Sequence, residues 1–330
     1  MKRYQYMMLL IIFMFSVLTA CGGTTEKKTS LKLAEVTRSI FYAPQYVALE
    51  KGFFTEEGLD IDLQTTWGGD KTMTALLSDS VDIALVGAET SMYVYAQQSK
   101  DYAINFAQLT QTDGTFLVAK EPQPDFTWED LKGSSFLGQR KGGMPQMVGE
   151  YVLKKHQINP HEDLDLQQNI DFGNIPGAFA SGDSEYVQLF EPTASIFEKE
   201  GKGHVIASFG EESGHVPYTV FTTKQSYLRE NEEHVRKFTK AIYRAQQWVD
   251  EQSAEEVANV ISPYFEDVKH DILTASIERY KSQRSFATDP ILHEDEWNHL
   301  QLIMEEAGEL PNDAPYEHLV NTTIAEEVSD

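Results

Sequence analysis

The sequence predicts an α/β protein of two lobes with a cleft between them, and three observations carry that expectation. Short apolar strands alternate with helix-spaced segments from residue 31 to 109. The rhythm breaks near 114–124, where Pro122 and Pro124 interrupt it, and a second alternating set runs on to residue 198. A last strand at 218–223 is followed only by helical patterns. Such alternation with short connections marks α/β layers on a mostly parallel sheet. A second set lying inside the first implies two crossings, and therefore a hinge with a cleft of the kind that closes on small molecules.

In the first set, strands are expected at 31–36, 60–66, 81–86 and 104–109, and helices at 42–51, 72–77 and 91–98. Gly52 stands where a helix end favours a left-handed residue. In the second set the strands are 116–119, 134–137, 164–168 and 186–190, and the helices 146–155, 175–180 and 192–198. Residues 210–214 read as a loop. Helices follow at 232–248, 254–261, 269–280 and 294–307. The tail beyond Pro311 carries a short helical pattern at 319–328 and is expected to pack loosely. Lobe one is then 31–114 with 216–330, lobe two is 115–215, and the hinge lies near 112–118 and 212–218.

The start of the chain is a different object. Lys2 and Arg3 precede an apolar run from about Met7 to Val17, and small residues lead to Leu18-Thr19-Ala20-Cys21. That is the layout of a secretory signal over 1–20. Cys21, the chain's one cysteine, would become the new N-terminus, and its sulfur can carry a lipid. Residues 21–30 form a polar tether, since 24–30 hold no apolar side chain. The formal charge of −25 becomes −27 once Lys2 and Arg3 are removed, which disfavours nucleic acid as a partner. A single cysteine excludes an internal disulfide, so a large apolar core must hold the fold.

Several motifs carry a resemblance. The run at the signal's end resembles the lipobox of bacterial lipoproteins, in which the cysteine is diacylated with fatty acids such as palmitate. Residues 41–60, from Phe41-Tyr42-Ala43-Pro44-Gln45-Tyr46 to Phe53-Phe54-Thr55-Glu56-Glu57-Gly58-Leu59-Asp60, resemble the opening of one solute-binding family. Trp67-Gly68-Gly69-Asp70-Lys71, Ser80-Val81-Asp82-Ile83-Ala84 and Trp128-Glu129-Asp130-Leu131-Lys132-Gly133 look like the same family. It comprises the binding proteins of ABC importers for aliphatic sulfonates, taurine, nitrate and the pyrimidine precursors of thiamine. The likeness runs from about Leu31 to Trp248. It implies a type II periplasmic-binding-protein fold, a monomer, and delivery of a small molecule to a permease driven by a cytoplasmic ATPase. It also implies a membrane location through lipid on Cys21, with no cofactor and no reaction on the ligand. The Val36-Thr37-Arg38-Ser39 loop departs from the Trp- and Asn-containing loop of the pyrimidine binders. A cytoplasmic pyrimidine synthase of the same fold, and a sensor that docks to a receptor, are the competing readings.

In an open α/β sheet, ligands sit beyond the carboxyl ends of the strands, so the loops there supply the candidates. Tyr42, Trp67, Tyr186 and Phe190 are aromatic faces for a flat heterocycle, and core packing is the competing reading. Glu89 and Glu191 each follow a buried strand and can accept hydrogen bonds from an amino group. An interlobe ion pair or a helix N-terminal charge is the alternative, favoured for Glu89. By the resemblance, Glu191 is the specificity residue. Arg38, Lys71 and Arg140 are the groups that would pair with a sulfonate. Gly142 and Gly143 precede a helix whose first turn takes Pro145, which offers backbone N–H groups to an anionic or carbonyl oxygen. The histidines show no metal-ligand spacing. The preferred ligand is a nitrogen heterocycle like the thiamine pyrimidines, and the alternative is an alkylsulfonate or taurine.

Overall fold

In a computed structural model that describes residues 28–311 and 314–330, the chain builds two five-stranded sheets, each flanked by helices. The signal segment, Cys21 and most of the tether lie outside the described residues. The first sheet contains β1 (Thr29–Glu35), β2 (Leu59–Thr65), β3 (Ile83–Gly87), β4 (Ala103–Thr110) and β10 (Thr219–Lys224), in the order β2-β1-β3-β10-β4. The second contains β5 (Thr115–Ala119), β6 (Ser135–Leu137), β7 (Asp165–Gln167), β8 (Tyr186–Phe190) and β9 (His204–Ser208), in the order β7-β6-β8-β5-β9. This is the two-lobed α/β arrangement that the alternation predicts, and the periplasmic-binding-protein-like fold that the resemblance implies.

One strand in each sheet runs against its neighbours. β10 is antiparallel to β3 and β4, and β5 is antiparallel to β8 and β9. Their first residues therefore lie at the edge where the parallel strands end: Thr219 pairs with Gly87, and Thr115 pairs with Phe190. The chain leaves the first sheet after Thr110 and returns to it at Thr219, so both passages between lobes fall at that edge.

Beneath it sits an aromatic cluster that joins the lobes. The Phe41 ring packs 5.0 Å from Tyr280, 5.5 Å from Tyr218 and 6.0 Å from Phe190. Gly114, in the outgoing passage, lies so close that a Cβ there would stand 2.9 Å from the Phe41 ring. Tyr280 comes from a helix, His270–Ser282, that packs on both lobes and braces the hinge. Beyond that helix, Thr112 and Ser285 share a 2.9 Å hydrogen bond, and Ser208 donates to Gln283.

Several elements differ from the sequence expectation. β9 was not anticipated: it is a short edge strand, half-buried along most of its length, with no clean alternation to announce it. Residues Phe209–Ser213 form a helical turn where a loop is expected, its first turn capped by the Ser208 hydroxyl. Residues Gln225–Glu230 add another short helix. The C-terminal tail is not loosely packed. Leu319, Val320, Ile324 and Ala325 are buried, and Val320 bridges to Asn105 of β4. The final helix, Thr323–Ser329, packs on the helix Glu232–Glu251, whose buried face is set by Val235, Phe238, Ile242, Ala245 and Val249. The sequence concealed this because only a few apolar residues in a polar segment make the contact. Ile324→Ala should therefore lower stability by about 2–4 kcal/mol, read as a shift in the urea midpoint. A loosely packed tail would leave that midpoint unchanged.

Candidate functional site

The edges of the two sheets enclose a cavity of about 690 Å³ between the lobes. The first lobe contributes the loops after β1, β2 and β3, and the second contributes those after β6, β7 and β8. Of the residues singled out from sequence, Arg38, Tyr42, Trp67, Lys71, Glu89, Arg140, Gly142, Gly143, Phe190 and Glu191 line it.

Tyr186 does not. It opens β8 and pairs with Ala119, at the end of the sheet away from the cavity, where its hydroxyl accepts a 2.6 Å bond from Gln123. It lies buried in the core of the second lobe, and its expected ligand role is corrected accordingly.

Glu191 borders the cavity, but its carboxylate is committed elsewhere. Oε1 accepts from the Arg279 guanidinium at 2.7 Å and from the Ser195 hydroxyl at 2.8 Å, while Oε2 accepts from the Ser195 N–H at 2.9 Å. Arg279 also contacts Glu198 and lies over the Phe116 ring. The Glu191 N–H donates to the Tyr280 hydroxyl, which in turn donates to the Gly114 carbonyl. Glu191 thus serves as an interlobe ion pair, the alternative to a ligand role that its sequence position left open.

Arg38 is similarly engaged. Its Nε donates to the buried Glu35 at 2.9 Å, and the guanidinium lies over the Tyr46 and Tyr264 rings. These contacts hold it as a structural cation at the cavity wall. Arg140 reaches Asp70 across the cleft at 3.5 Å, with both side chains more than half exposed, a contact of little energetic weight. Lys71 makes no ion pair among the described residues.

Glu89 differs from Glu191. It is 5 % exposed, carries no cation, and its Oε2 has no hydrogen-bond partner. Burial pushes its carboxyl up to about 8, and the backbone N–H groups of Glu89, Met144 and Thr90 oppose that shift only in part. Gly87 makes room for it, because a Cβ at that position would collide with the carboxylate. Glu89 opens the helix Glu89–Ala96, so its expected place at a helix N-terminus is found. Met144 opens the helix Met144–Lys155 of the other lobe. The two helix starts are tied together by Tyr93, one turn beyond Glu89, whose hydroxyl donates to the Gly142 carbonyl at 3.3 Å. The Gly142 N–H is not open to a ligand: it donates to Gln146 Oε1 at 2.9 Å.

The aromatic lining has two exposed members, one from each lobe. Trp67 is 62 % exposed and holds φ 60, a left-handed conformation that costs a bulky residue energy. Hydrogen bonds on either side, from the Thr66 N–H to the Glu35 carbonyl and from the Gly68 N–H to the Val36 carbonyl, keep it there. Phe172 is 40 % exposed and meets Phe190 edge-on at 5.9 Å.

Tyr42 and Tyr218 line the cavity as buried phenols. Burial raises both hydroxyl pKa values, and Glu89 adds to each shift. The Tyr218 hydroxyl has no well-formed hydrogen bond, nor has Oδ2 of the neighbouring Asp113. Burial lifts Asp113 to about 6 against the bonds it accepts from Thr115.

Sequence reasoning missed Phe172 and Tyr218. Phe172 follows β7 and was available from the strand-end rule. Tyr218 precedes its strand, and only the antiparallel course of β10 brings it to the cavity.

A carboxyl that stays protonated in the folded chain but ionises when unfolded weakens the fold as pH rises. For Glu89 the window runs from its ordinary 4.5 to about 8, and for Asp113 from 3.8 to about 6. Stability should fall between pH 5 and 8. Glu89→Gln should flatten the part above pH 6, a gain on the order of a few kcal/mol at pH 8. Melting temperatures of both proteins across pH 5–9 check this, and parallel curves would refute it.

The comparisons with known proteins agree with this geometry. A model described as the NMT1-like family matches residues 24–262. YtlA of Bacillus subtilis (strain 168), named as a binding protein, is 64% identical over 318 residues, covering 96% of this chain and 95% of that one. The formylaminopyrimidine-binding protein of Halalkalibacterium halodurans is 24% identical over 86% of this chain and 88% of its own. Among solved structures, the ligand-binding component of an ABC-type import system from Staphylococcus aureus has the same fold. Its TM-score is 0.73 at 15% identity, with 91% of this chain and 99% of that one covered. With most of its length matched by the family model, and a relative alike from end to end, the chain belongs to the NMT1-like family.

Proposed function

We propose that the protein is the extracytoplasmic solute-binding component of an ABC importer, and that its solute is a flat nitrogen heterocycle with an amino group. One observation carries the choice of ligand: a buried carboxyl, Glu89, faces the cleft without a cation. At neutral pH such a carboxyl holds its proton, so it can donate to a ring nitrogen or accept from an amino group. An aminopyrimidine presents that pair of atoms along one edge. Trp67 and Phe172 offer ring faces from the two lobes, and Tyr42 and Tyr218 add phenols. The name of the Halalkalibacterium relative agrees with this ligand class. An alkylsulfonate is the alternative: Arg38 is held by Glu35, but Lys71 and Arg140 line the cavity and could meet it. The protein performs no reaction; closure of the lobes reports occupancy to the permease.

Calorimetric titration with formylaminopyrimidine and with ethanesulfonate tests the ligand. The pyrimidine should bind at least tenfold more tightly than the sulfonate. Trp67→Ala should weaken it by about 1 kcal/mol or more through loss of ring contact. Tight sulfonate binding with no response to the pyrimidine would reject the reading.

Retention at the membrane is proposed to come from lipid on Cys21, which lies outside the described residues. Cys21→Ala should release the protein into the medium with its ligand affinity intact, as fractionation and titration would show. A variant that stays with the membrane would refute the anchor.

A further inference from the structure

We infer that Gln139 is a specificity-determining residue of the cleft, which reads an N–H group of the solute with a side-chain oxygen that the second lobe holds in one orientation. The inference rests on the cleft being the solute site, as proposed above, and deepens the choice of ligand without requiring a pyrimidine.

Gln139 stands just beyond the end of β6 and lines the cavity from the second lobe, with only 3 % of its surface exposed. Its Nε2 donates to the main-chain carbonyl of Gln188 at 2.6 Å. A carbonyl only accepts, so this bond decides which end of the amide carries the nitrogen. Gln188 lies in β8, paired with Leu117 of β5. Its own side chain is anchored as well: Nε2 donates to the Thr115 hydroxyl and to the Pro145 carbonyl, both at 2.8 Å. The pin on Gln139 therefore belongs to the sheet. Its Oε1 accepts no hydrogen bond among the described residues, and it is not closed off as Glu89 Oε2 and the Tyr218 hydroxyl are. That oxygen is the group Gln139 presents to the cavity.

A buried amide of fixed polarity discriminates more sharply than a hydroxyl. Tyr42 and Thr219 also border the cavity as buried residues, but their hydroxyls turn to donate or accept as the solute requires. Gln139 lacks that freedom, because turning its amide would set its oxygen against the Gln188 carbonyl oxygen. A solute N–H placed against Oε1 completes a hydrogen bond at a wall of low dielectric. A nitrate or sulfonate oxygen at the same point meets a second acceptor, and both are left unpaired at a cost larger than one hydrogen bond gains. Gln139 thus favours amides and amino-heterocycles over oxyanions.

The test measures dissociation constants for matched probes: formylaminopyrimidine against its analogue without the ring amino group, and aminopyrazine against pyrazine, with nitrate and ethanesulfonate alongside. Calorimetry serves for the tighter probes and chemical-shift titration for the weaker ones. In the wild type the amino member of a pair should bind about fivefold or more tightly than its partner, the effect of one buried hydrogen bond. Gln139→Met, of similar length and shown to be folded by its melting curve, should abolish that ratio. General damage to the cavity wall would weaken both members alike and leave the ratio standing. Gln139→Glu keeps an oxygen of the same reach and should keep the preference. A wild type without the preference overturns the inference with no variant needed. So does a ratio unchanged in Gln139→Met, binding of the two anions alone, or failure of every probe. If formylaminopyrimidine fails while the aminopyrazine ratio collapses in Gln139→Met, the proposed ligand falls and this inference stands. If formylaminopyrimidine binds with a ratio indifferent to Gln139→Met, this inference falls and the proposed function stays.

Discussion

Burying a carboxyl group with no cation beside it costs free energy, and the cleft holds such a group at the point where the two lobes meet. Little about Glu89 lowers that cost: one oxygen lacks a hydrogen bond, and the surrounding amides offset the desolvation only partly. A fold selected for stability alone would place an apolar residue there. The residues around it nevertheless conform to it. Gly87 clears the space, Tyr93 pins the opposite helix start, and Tyr42 and Tyr218 carry raised pKa values partly on its account. Local strain kept by its surroundings is a common property of binding sites, and here it coincides with the strained backbone of Trp67.

Behind the unpaired acid the hinge is closely packed. The Phe41, Tyr218, Tyr280 and Phe190 rings fill the space below the cavity, and the Glu191–Arg279 pair secures the edge of the second lobe to helix His270–Ser282. Glu191, Arg279 and Ser195 satisfy one another, which is the condition under which a buried ion pair is tolerated. The two acids therefore divide the labour. One has its acceptors consumed by an ion pair and a hydroxyl, and the other is buried with no cation beside it.

The two-lobed fold and the rim of the cleft were legible in the sequence. Strand periodicity located the parallel strands, and the rule that ligands gather at strand ends picked out Tyr42, Trp67, Glu89 and Gly142, all of which border the cavity. Strand direction decides the two exceptions. Tyr186 stands at the start of a parallel strand and points away from the site, whereas Tyr218 precedes an antiparallel strand and lies in it. The rule was silent on which acid is free. Glu89 and Glu191 look alike along the chain, each directly after an apolar strand. What separates them is Arg279, 88 residues beyond Glu191, and a helical brace whose contact with the second lobe no local pattern announces. The packing of the C-terminal tail was hidden for the same reason, since its few apolar residues meet β4 and helix Glu232–Glu251 only in three dimensions.

The chain's overall charge of −25 points in the same direction as its cleft, but the two act at different ranges. A field from dispersed surface carboxylates draws cations and repels anions as they approach, and salt screens it beyond about 10 Å at 0.1 M. It changes how often solutes arrive more than which one stays. Arg140 and Lys71 at the mouth locally oppose that field, so an anion is not barred from the entrance. Discrimination must then occur deeper, where the dielectric is low and a missing hydrogen bond is costly. Glu89 occupies that depth, and on the proposed reading a solute that can hydrogen-bond its carboxyl gains most from closing the lobes.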